Sequence, residues 1–147
     1  MAATAPDTVA LPQWTSLFGS RLIDLLGWRF VDARPDEGWI RAGFVGKEEF
    51  CAAGGFVQGG ILCSMLDATM SAAVFGMTHG KMYPPTISMA VNFLAPAKPG
   101  SITGEAKVTQ LGKSVAFVEG RLTTDDGTLI ATASTSVRLV EVTKAIR

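Results

Sequence analysis

The sequence predicts an α+β fold in which a mostly antiparallel, curved sheet of about six strands wraps around one long central helix. The first observation behind this prediction is the span 59–77, which is apolar on every side and has the length of a helix. The second is that the segments before and after it alternate apolar and polar residues, as half-buried strands do. A helix without a polar face needs a covering layer, which we expect the strands to provide.

One domain accounts for the whole chain. With 147 residues the chain is long enough for a core but too short for two domains, and no repeat, low-complexity stretch or linker divides it. We therefore expect a single domain over residues 1–147. The first stretch, MAATAPDTVALPQ, lacks the basic start, apolar run and cleavage pattern of a signal peptide, so we interpret residues 1–12 as a flexible tail.

A covering helix and two strands are predicted before the central helix. Between Pro12 and Gly27, the span 13–26 carries apolar residues at helical spacing, which indicates an amphipathic helix. These residues are Trp14, Leu17, Phe18, Leu22 and Leu25. Two strand-like segments follow, WRFVDAR and WIRAGFV, on either side of a turn at residues 35–38.

Four strands are predicted after the central helix. The segment TISMAVNF places its apolar residues on one face, and SITGEAKVTQ alternates in the same way. The apolar residues of the first segment are Ile87, Met89, Val91 and Phe93. The last two segments, SVAFVEGRLTT and TLIATASTSVRLVEV, are joined by a turn in which Asp126-Gly127 favours a two-residue type I′ hairpin.

Charge and cysteine content exclude several classes of function. Thirteen basic and thirteen acidic residues cancel, so there is no basic surplus for a nucleic acid or an anionic membrane, and neither partner is expected. Cys51 and Cys63 form no C-x-x-C motif and are interpreted as buried, reduced thiols, which favours a cytoplasmic protein. The single histidine, His79, and two isolated cysteines are too few for a zinc site, and no nucleotide fingerprint is present. We therefore expect no metal and no cofactor.

A lone carboxylate, Asp67, interrupts the apolar run near its middle. The span 59–77 is nearly long enough to cross a bilayer, but an aspartate at its centre would cost roughly 2.5 to 3.5 kcal/mol, so we expect no membrane segment. An unpaired carboxylate is also costly in a protein interior. Asp67 therefore has either a functional role or neutral partners, for which Ser64 and Ser71 lie at helical spacing.

Two segments resemble a known enzyme family. QGGILCSMLD is similar to the HGG…D motif of acyl-coenzyme A (acyl-CoA) thioesterases of the phenylacetate-degradation (PaaI-like) type. The segment from VNFLAPAKPG through LIATAS resembles their second half, and the resemblance covers roughly residues 13 to 140. It implies the hotdog fold, in which the sheet wraps around the helix. It also implies hydrolysis of an acyl-CoA thioester, here one of aryl or medium-chain character.

The resemblance assigns roles to three residues. Gly59, the first glycine of the pair, would donate its backbone N–H to the oxyanion that develops on the thioester carbonyl. Asp67 matches the family's carboxylate, which acts either as nucleophile or as general base for water, and the sequence leaves both open. Thr86 matches a Ser or Thr position that helps to orient water or the carboxylate, although it could also be an ordinary strand residue.

Two positions depart from the family pattern. Gln58 stands where the family usually has histidine, and its amide can form hydrogen bonds but cannot relay a proton near neutral pH. Ala52 stands where asparagine or glutamine is common, and it can do neither. The alternative function is therefore a hotdog protein that binds acyl-CoA without turnover, as a sensor or scavenger. A binder would need only the pocket and Gly59.

Surface positions are predicted to hold the coenzyme part of the substrate. Exposed cations on turns suit the phosphates of coenzyme A, and we expect Lys113 to be the chief one, with Lys98 and Arg121 behind it. The predicted substrate-binding residues are Gly60, Ser64, Ser71, Lys113 and Ser114.

The spacing of the two central residues predicts a shared site. Gly59 and Asp67 are eight residues apart, which is about 12 Å along one helix, too far for both to act on one carbonyl. We therefore predict a homodimer. A further assembly into a dimer of dimers is expected in addition. In the homodimer, Gly59 and Gln58 of one chain face Asp67 and Thr86 of the other.

Overall fold

The computed structural model describes residues 12–145 and contains eight strands and three α-helices within that range. The strands are β1 (Arg29–Arg34), β2 (Trp39–Gly46), β3 (Met82–Tyr83), β4 (Thr86–Phe93), β5 (Gly100–Leu111), β6 (Val115–Thr124), β7 (Leu129–Arg138) and β8 (Val140–Glu141). The helices are α1 (Arg21–Leu25), α2 (Gly59–Met77) and α3 (Val142–Ala145). Apart from Pro12, the predicted tail at residues 1–12 lies outside the described residues.

Six strands form one antiparallel sheet around α2, which is the predicted fold class. Their order across the sheet is β1-β2-β5-β6-β7-β4, so β1 and β4 are its edges. The two remaining strands, β3 and β8, pair only with each other. This small ladder is not among the predicted strands, because strands of two residues are too short to show alternation.

Helix α2 forms the core of the domain, and its bounds are those predicted. The side chains of Met65, Leu66 and Met70 are completely buried. Gly120 in β6 permits close packing, because a Cβ there would lie 2.8 Å from Cγ of Met70. The helix is long and apolar enough to cross a membrane, but 61% of its 18-residue apolar window is buried inside the domain. Burial against the sheet thus accounts for its composition without a bilayer.

The predicted covering helix at 13–26 is wrong as a single element. The chain forms a 3₁₀ turn at its start and then the separate helix α1. The break falls at Gly19, which is a poor helix former, and at Ser20, whose hydroxyl oxygen accepts a hydrogen bond from the N–H of Ile23 (3.3 Å) and so caps a new helix. The predicted apolar face also changes, because Leu22 and Leu25 are more than half exposed.

The turn between β6 and β7 also differs from the prediction. The hairpin is present, but a type I′ turn requires positive φ at two residues, and only Gly127 has it in this connection (83°). The carboxylate of Asp126 instead accepts hydrogen bonds from Thr124 Oγ1 (2.5 Å) and from the N–H of Thr128 (3.0 Å). These bonds close a wider turn and lower the pKa of Asp126 to about 2.

Edge strand β4 contains a bulge that changes which side chains face α2. Met89 and Val91 pack against the core as predicted, but Ile87 is 57% exposed. The register shifts between Thr86 and Ser88, so Ile87 is an extra residue on β4 without a counterpart on β7. The sequence pattern could not show this shift, because a bulge inserts one residue into an otherwise regular alternation.

Candidate active site

Helix α2 begins with two backbone N–H groups that are free to bind a ligand. Gln58 is the N-cap residue, because its side-chain oxygen accepts a hydrogen bond from the N–H of Ile61 (3.3 Å). Among residues 12–145, no acceptor lies on the N–H of Gly59 or of Gly60. Both donors point out of the positive end of the helix, where a developing negative charge is stabilised. Sequence reasoning missed the capping role because glutamine is not a preferred N-cap residue.

The ring of Phe93, at the end of β4, lies directly beside Gly59. A Cβ placed on Gly59 would be 3.1 Å from Cζ of this ring. A Cβ on Gly60 would be 2.8 Å from Oε1 of Gln58. Glycine at both positions therefore leaves room for the capping amide, for the aromatic ring and for a group that approaches the helix end.

Asp67 lies two turns further along α2 and is held by Thr86. The hydroxyl of Thr86 donates a hydrogen bond to Oδ1 of Asp67 (2.6 Å). In the part of the chain that the structure describes, no lysine or arginine forms a salt bridge with this half-buried carboxylate, and its Oδ2 has no hydrogen-bond partner. Oδ2 is thus the oxygen available to a substrate or a water molecule.

The bulge in β4 is what directs Thr86 toward the helix. Thr86 pairs with Val137, which is fully buried, whereas Ser88 pairs with Ser136 on the other face. If Ile87 were a regularly paired strand residue, Thr86 would share the outward face of Ser88. Bulges commonly redirect a side chain beside an active site, and this one brings the Thr86 hydroxyl to Asp67.

Two candidate half-sites therefore lie at opposite ends of β4. Phe93 marks the half-site with the free donors of Gly59, and Thr86 marks the half-site with the carboxylate of Asp67. The two half-sites are about 12 Å apart along α2.

A cavity of about 360 Å³ opens beside Gly59. Its walls come from the start of α2 and from the segment that leaves β4, and every side chain in them is apolar. They belong to Val57, Leu62, Phe93, Leu94, Ala95, Pro96 and Ala97. The N–H of Val57 donates to the carbonyl of Ala97 (2.8 Å) and ties the two walls together. An apolar group in this cavity would present an attached carbonyl to the donors at the helix start.

The serines on α2 do not hold Asp67. The hydroxyl of Ser64 donates to the carbonyl of Gly60 one turn earlier (3.1 Å), and the side-chain hydroxyl of Ser71 forms no hydrogen bond with any residue from 12 to 145. The alternative in which these serines satisfy the carboxylate is therefore wrong, since Thr86 does so. Neither serine is brought into contact with the Gly59 donors.

Lys113 and Ser114 lie near the carboxylate half-site. They form the exposed turn between β5 and β6, where the carbonyl of Ser114 accepts a hydrogen bond from the N–H of Leu139 (2.9 Å). The preceding residue, Arg138, donates its N–H to the carbonyl of Pro85 (2.8 Å), directly before β4. The chain thus connects this turn to the start of β4 by two successive hydrogen bonds.

Arg121 does not fit the coenzyme role predicted for it. Its guanidinium forms a salt bridge with Glu105 (2.8 Å), which Arg41 also contacts (2.8 Å). Partial burial alone would raise the pKa of Glu105, but the hydrogen bonds and charges of both arginines outweigh it and hold that pKa below its ordinary value. Arg121 and Glu105 border a cavity of about 490 Å³ on the sheet face opposite α2. Lys98 is exposed directly after the wall segment of the smaller cavity.

Comparison with known protein families identifies the group to which the chain belongs. The model of a family described as the thioesterase superfamily matches residues 54–131, more than half of the chain. The chain belongs to the thioesterase superfamily. It is also similar to a protein of Saccharolobus solfataricus named "putative esterase", with 38% identity over 87 residues. That match covers 59% of this chain and 61% of the relative, so the chain spans less than two thirds of that relative's length.

Solved structures of thioesterases share the fold. One, from Ralstonia eutropha and described as a "putative thioesterase, phenylacetic acid degradation-related protein", has a TM-score of 0.80 at 26% identity, covering 85% of this chain and 98% of that one. The PaaI protein of E. coli has a TM-score of 0.78 at 16% identity, with coverage of 88% and 91%. A thioesterase of Haemophilus influenzae has a TM-score of 0.80 at 17% identity, covering 95% of this chain and 96% of that one. These similarities confirm the predicted hotdog fold and the PaaI-like resemblance.

Proposed function

We propose that this member of the superfamily hydrolyses an acyl-CoA with an aryl or medium-chain acyl group to the free acid and coenzyme A. The observation that carries the proposal is the arrangement along β4, which holds Asp67 at one end and contacts Gly59 at the other. Family membership supplies the reaction class. The choice of acyl group, the choice of coenzyme and the roles of these residues are our own proposals.

Asp67 would act through Oδ2, because Thr86 holds Oδ1. As a nucleophile, Oδ2 attacks the carbonyl carbon, coenzyme A leaves as the thiolate, and water hydrolyses the anhydride that remains. As a general base, Asp67 takes a proton from water, and the resulting hydroxide attacks the carbonyl. The C–S bond then breaks, coenzyme A leaves as the thiolate, and Asp67 gives up its proton again. In both routes the carbonyl oxygen becomes an oxyanion, which the N–H of Gly59 stabilises.

A second copy of the chain completes this site. The outer edge of β4 leaves a row of backbone groups unpaired, because within the described residues only β7 pairs with this strand. Exposed apolar side chains flank the same edge, including Ile87 (57%), Phe93 (53%) and Leu94 (56%). Pairing of two β4 strands across a two-fold axis would satisfy the backbone groups and cover these side chains.

The face alternation of β4 restricts how two copies pair. Residues directly opposite in antiparallel strands share a face of the sheet, so the two-fold axis passes through a residue, and Met89 and Ala90 are the central ones of β4. We propose Ala90, because it pairs the inward Met89 with the inward Val91 of the partner and keeps Phe93 within the paired segment. In this register Phe93 of one chain lies opposite the bulge at Thr86 of the other. The donor half-site of each chain thereby meets the carboxylate half-site of its partner.

The same dimer supplies cations for the coenzyme from both chains. Lys98 follows the wall of the donor half-site, and Lys113 belongs to the turn near the carboxylate half-site. Lys98, Lys113 and Ser114 would bind the phosphate-bearing end of the coenzyme, and the N–H of Gly60 would bind the thioester. The proposal includes a further assembly of two dimers. It also includes a cytoplasmic location, which the free thiols of the chain favour.

A second candidate function is acyl-CoA binding without turnover. The observation that favours it is Ala52, which lies exposed in the loop before α2 and offers no polar side chain to the site. A binder would retain the apolar cavity and the Gly59 donor but release no thiol.

Release of free thiol from a panel of aryl- and fatty-acyl-CoA esters tests the proposal. The parent protein should hydrolyse at least one ester, and Asp67→Asn should lower kcat by about two to four decades while leaving the fold and ligand binding intact. Asp125→Asn, in the exposed turn after β6, is the matched control and should retain the parental rate. Parental turnover in Asp67→Asn would show that Asp67 is structural. Tight binding of every ester without thiol release would establish the binder instead.

A further inference from the structure

We infer that the apolar cavity beside Gly59 receives the acyl group and that Phe93 selects which acyl groups fit, an inference that rests on the proposed thioesterase function. The acyl cavity is the space of about 360 Å³ bounded by Val57, Gly59, Leu62 and residues 93–97. Among residues 12–145, no charged or polar side chain borders it. Since an unpaired charge in such surroundings is costly, the matching ligand class is an uncharged alkyl chain or aromatic ring.

The position of Gly59 connects this cavity to the thioester. Gly59 is itself part of the cavity wall, and its N–H has no acceptor among residues 12–145. A carbonyl oxygen bound to that N–H lies about 3 Å from the nitrogen. The first acyl carbons are one or two bonds further on, and the ring of Phe93 borders the same glycine, 3.1 Å from its Cβ position.

The side chains that form the walls of the acyl cavity differ in how far they are buried. Leu62 and Ala97 are 3% and 1% exposed and form a fixed part of the core. The ring of Phe93 is 53% exposed in the single chain, and in the proposed dimer it faces the end of the second β4 strand rather than the core of its own chain. Changes at Phe93 therefore alter the room for the acyl group without opening the core, which makes Phe93 the specificity-determining residue.

Substitution of Phe93 and measurement of acyl selectivity test the inference. Phe93→Ala and Phe93→Leu would be compared with the parent protein on butyryl-, hexanoyl-, octanoyl-, benzoyl- and succinyl-CoA. We expect Phe93→Ala to raise the kcat/KM ratio of octanoyl- to butyryl-CoA by about tenfold, Phe93→Leu to raise it less, and succinyl-CoA to be the poorest substrate throughout. The matched control is Phe117→Ala. Phe117 is exposed to a similar degree (48%) but does not border the cavity, so its removal should leave the ratio unchanged.

The selectivity ratio separates this inference from a purely structural role and from failure of the proposed function. If Phe93→Ala and Phe93→Leu change kcat/KM for all esters by the same factor, Phe93 does not select the acyl group and the inference is overturned. If the parent protein hydrolyses no ester, calorimetry with S-butyl- and S-octyl-CoA thioethers gives the same ratio from binding. A shift in that ratio would support the cavity while the proposed hydrolysis fails. Absence of a shift, or of any binding, would overturn the inference.

Discussion

Replacement of Ala90 by cysteine places one thiol from each chain at the proposed two-fold axis. In that register the two copies of residue 90 are directly opposite, with Cα atoms about 4.5 to 5.5 Å apart. A disulfide requires Cα atoms roughly 4.4 to 6.8 Å apart, so the geometry allows the bond. Ala90 is exposed, and its substitution leaves the core unchanged. With Cys51 and Cys63 replaced by alanine, we expect oxidised Ala90→Cys protein to migrate as a covalent dimer on a non-reducing gel and to retain thioesterase activity.

Asn92→Cys is the matched control on the same face of the same strand. The two copies of residue 92 are offset by four residues in this register, about 13 Å at 3.3 Å per residue, which is beyond the reach of a disulfide. Asn92→Cys should therefore not cross-link with itself, but it should cross-link with Ser88→Cys in a mixture of the two proteins. Self-linking at residue 92 without linking at residue 90 would refute the register, and with it the meeting of the half-sites.

Substitutions at three further positions test individual groups of the site and the sheet. Thr86→Val removes the hydrogen bond to Asp67 and should slow thiol release about 10- to 150-fold, since bonds to charged groups contribute about 1.5 to 3 kcal/mol, while Thr86→Ser should retain most of the rate. Gln58→Ala should raise the barrier by only about 0.5 to 1.5 kcal/mol and lower Tm through loss of the cap, and Gln58→His should be at least as active as the parent. A sharp loss in Gln58→His would mean that the pocket is organised around glutamine. The pKa of Glu105 is lower in the folded protein than in the unfolded chain. Ionised Glu105 therefore stabilises the folded protein above the unfolded-state pKa of about 4.3, and this stabilisation is lost as the pH falls through the folded-state pKa. Glu105→Gln should therefore lower Tm by about 3 °C at pH 7 in a thermal melt, and the difference should disappear in acid.

The sequence predicted the sheet and the central helix because their signals are long and consistent. Helix α2 has nineteen residues and no polar face, and the main strands after it are eight to twelve residues long. Segments of this length and regularity allow few alternative secondary-structure assignments. The covering segment failed because helical spacing of apolar residues does not show whether the helix is continuous. Gly19 and the Ser20 cap interrupt it, and the pieces then bury Ile23 and Leu26 instead of Leu22.

The sequence predicted the candidate site only where its residues lie close together along the chain. Gly59 and Asp67 stand out in one local segment, but the partner of Asp67 comes from Thr86, whose direction depends on a bulge. Ser64 lies at suitable spacing, yet its hydroxyl binds the backbone one turn earlier, a competition that helix periodicity does not reveal. The contact of Phe93 with Gly59 joins residues far apart in the chain, so only the folded structure shows it.

Complementation between two inactive chains tests the shared site, which is the central claim, most directly. Asp67→Asn removes the carboxylate, and Gly59→Pro removes the donor N–H at the first helical position, where proline is tolerated. Gln58 is already extended (φ −65°, ψ 139°), as a residue before proline must be. Gly59→Ala retains the N–H and adds a Cβ beside Phe93, so it distinguishes loss of the donor from crowding.

Equal amounts of Asp67→Asn and Gly59→Pro chains are unfolded together, refolded and assayed for thiol release. Each protein alone should be nearly inactive. Random mixing makes about half of the dimers hybrids, and each hybrid rebuilds one of its two sites, so about a quarter of the parental activity should return. A site built within a single chain would leave no intact copy in any dimer. Hybrids that form, as verified by mass spectrometry, but release no thiol would contradict the account.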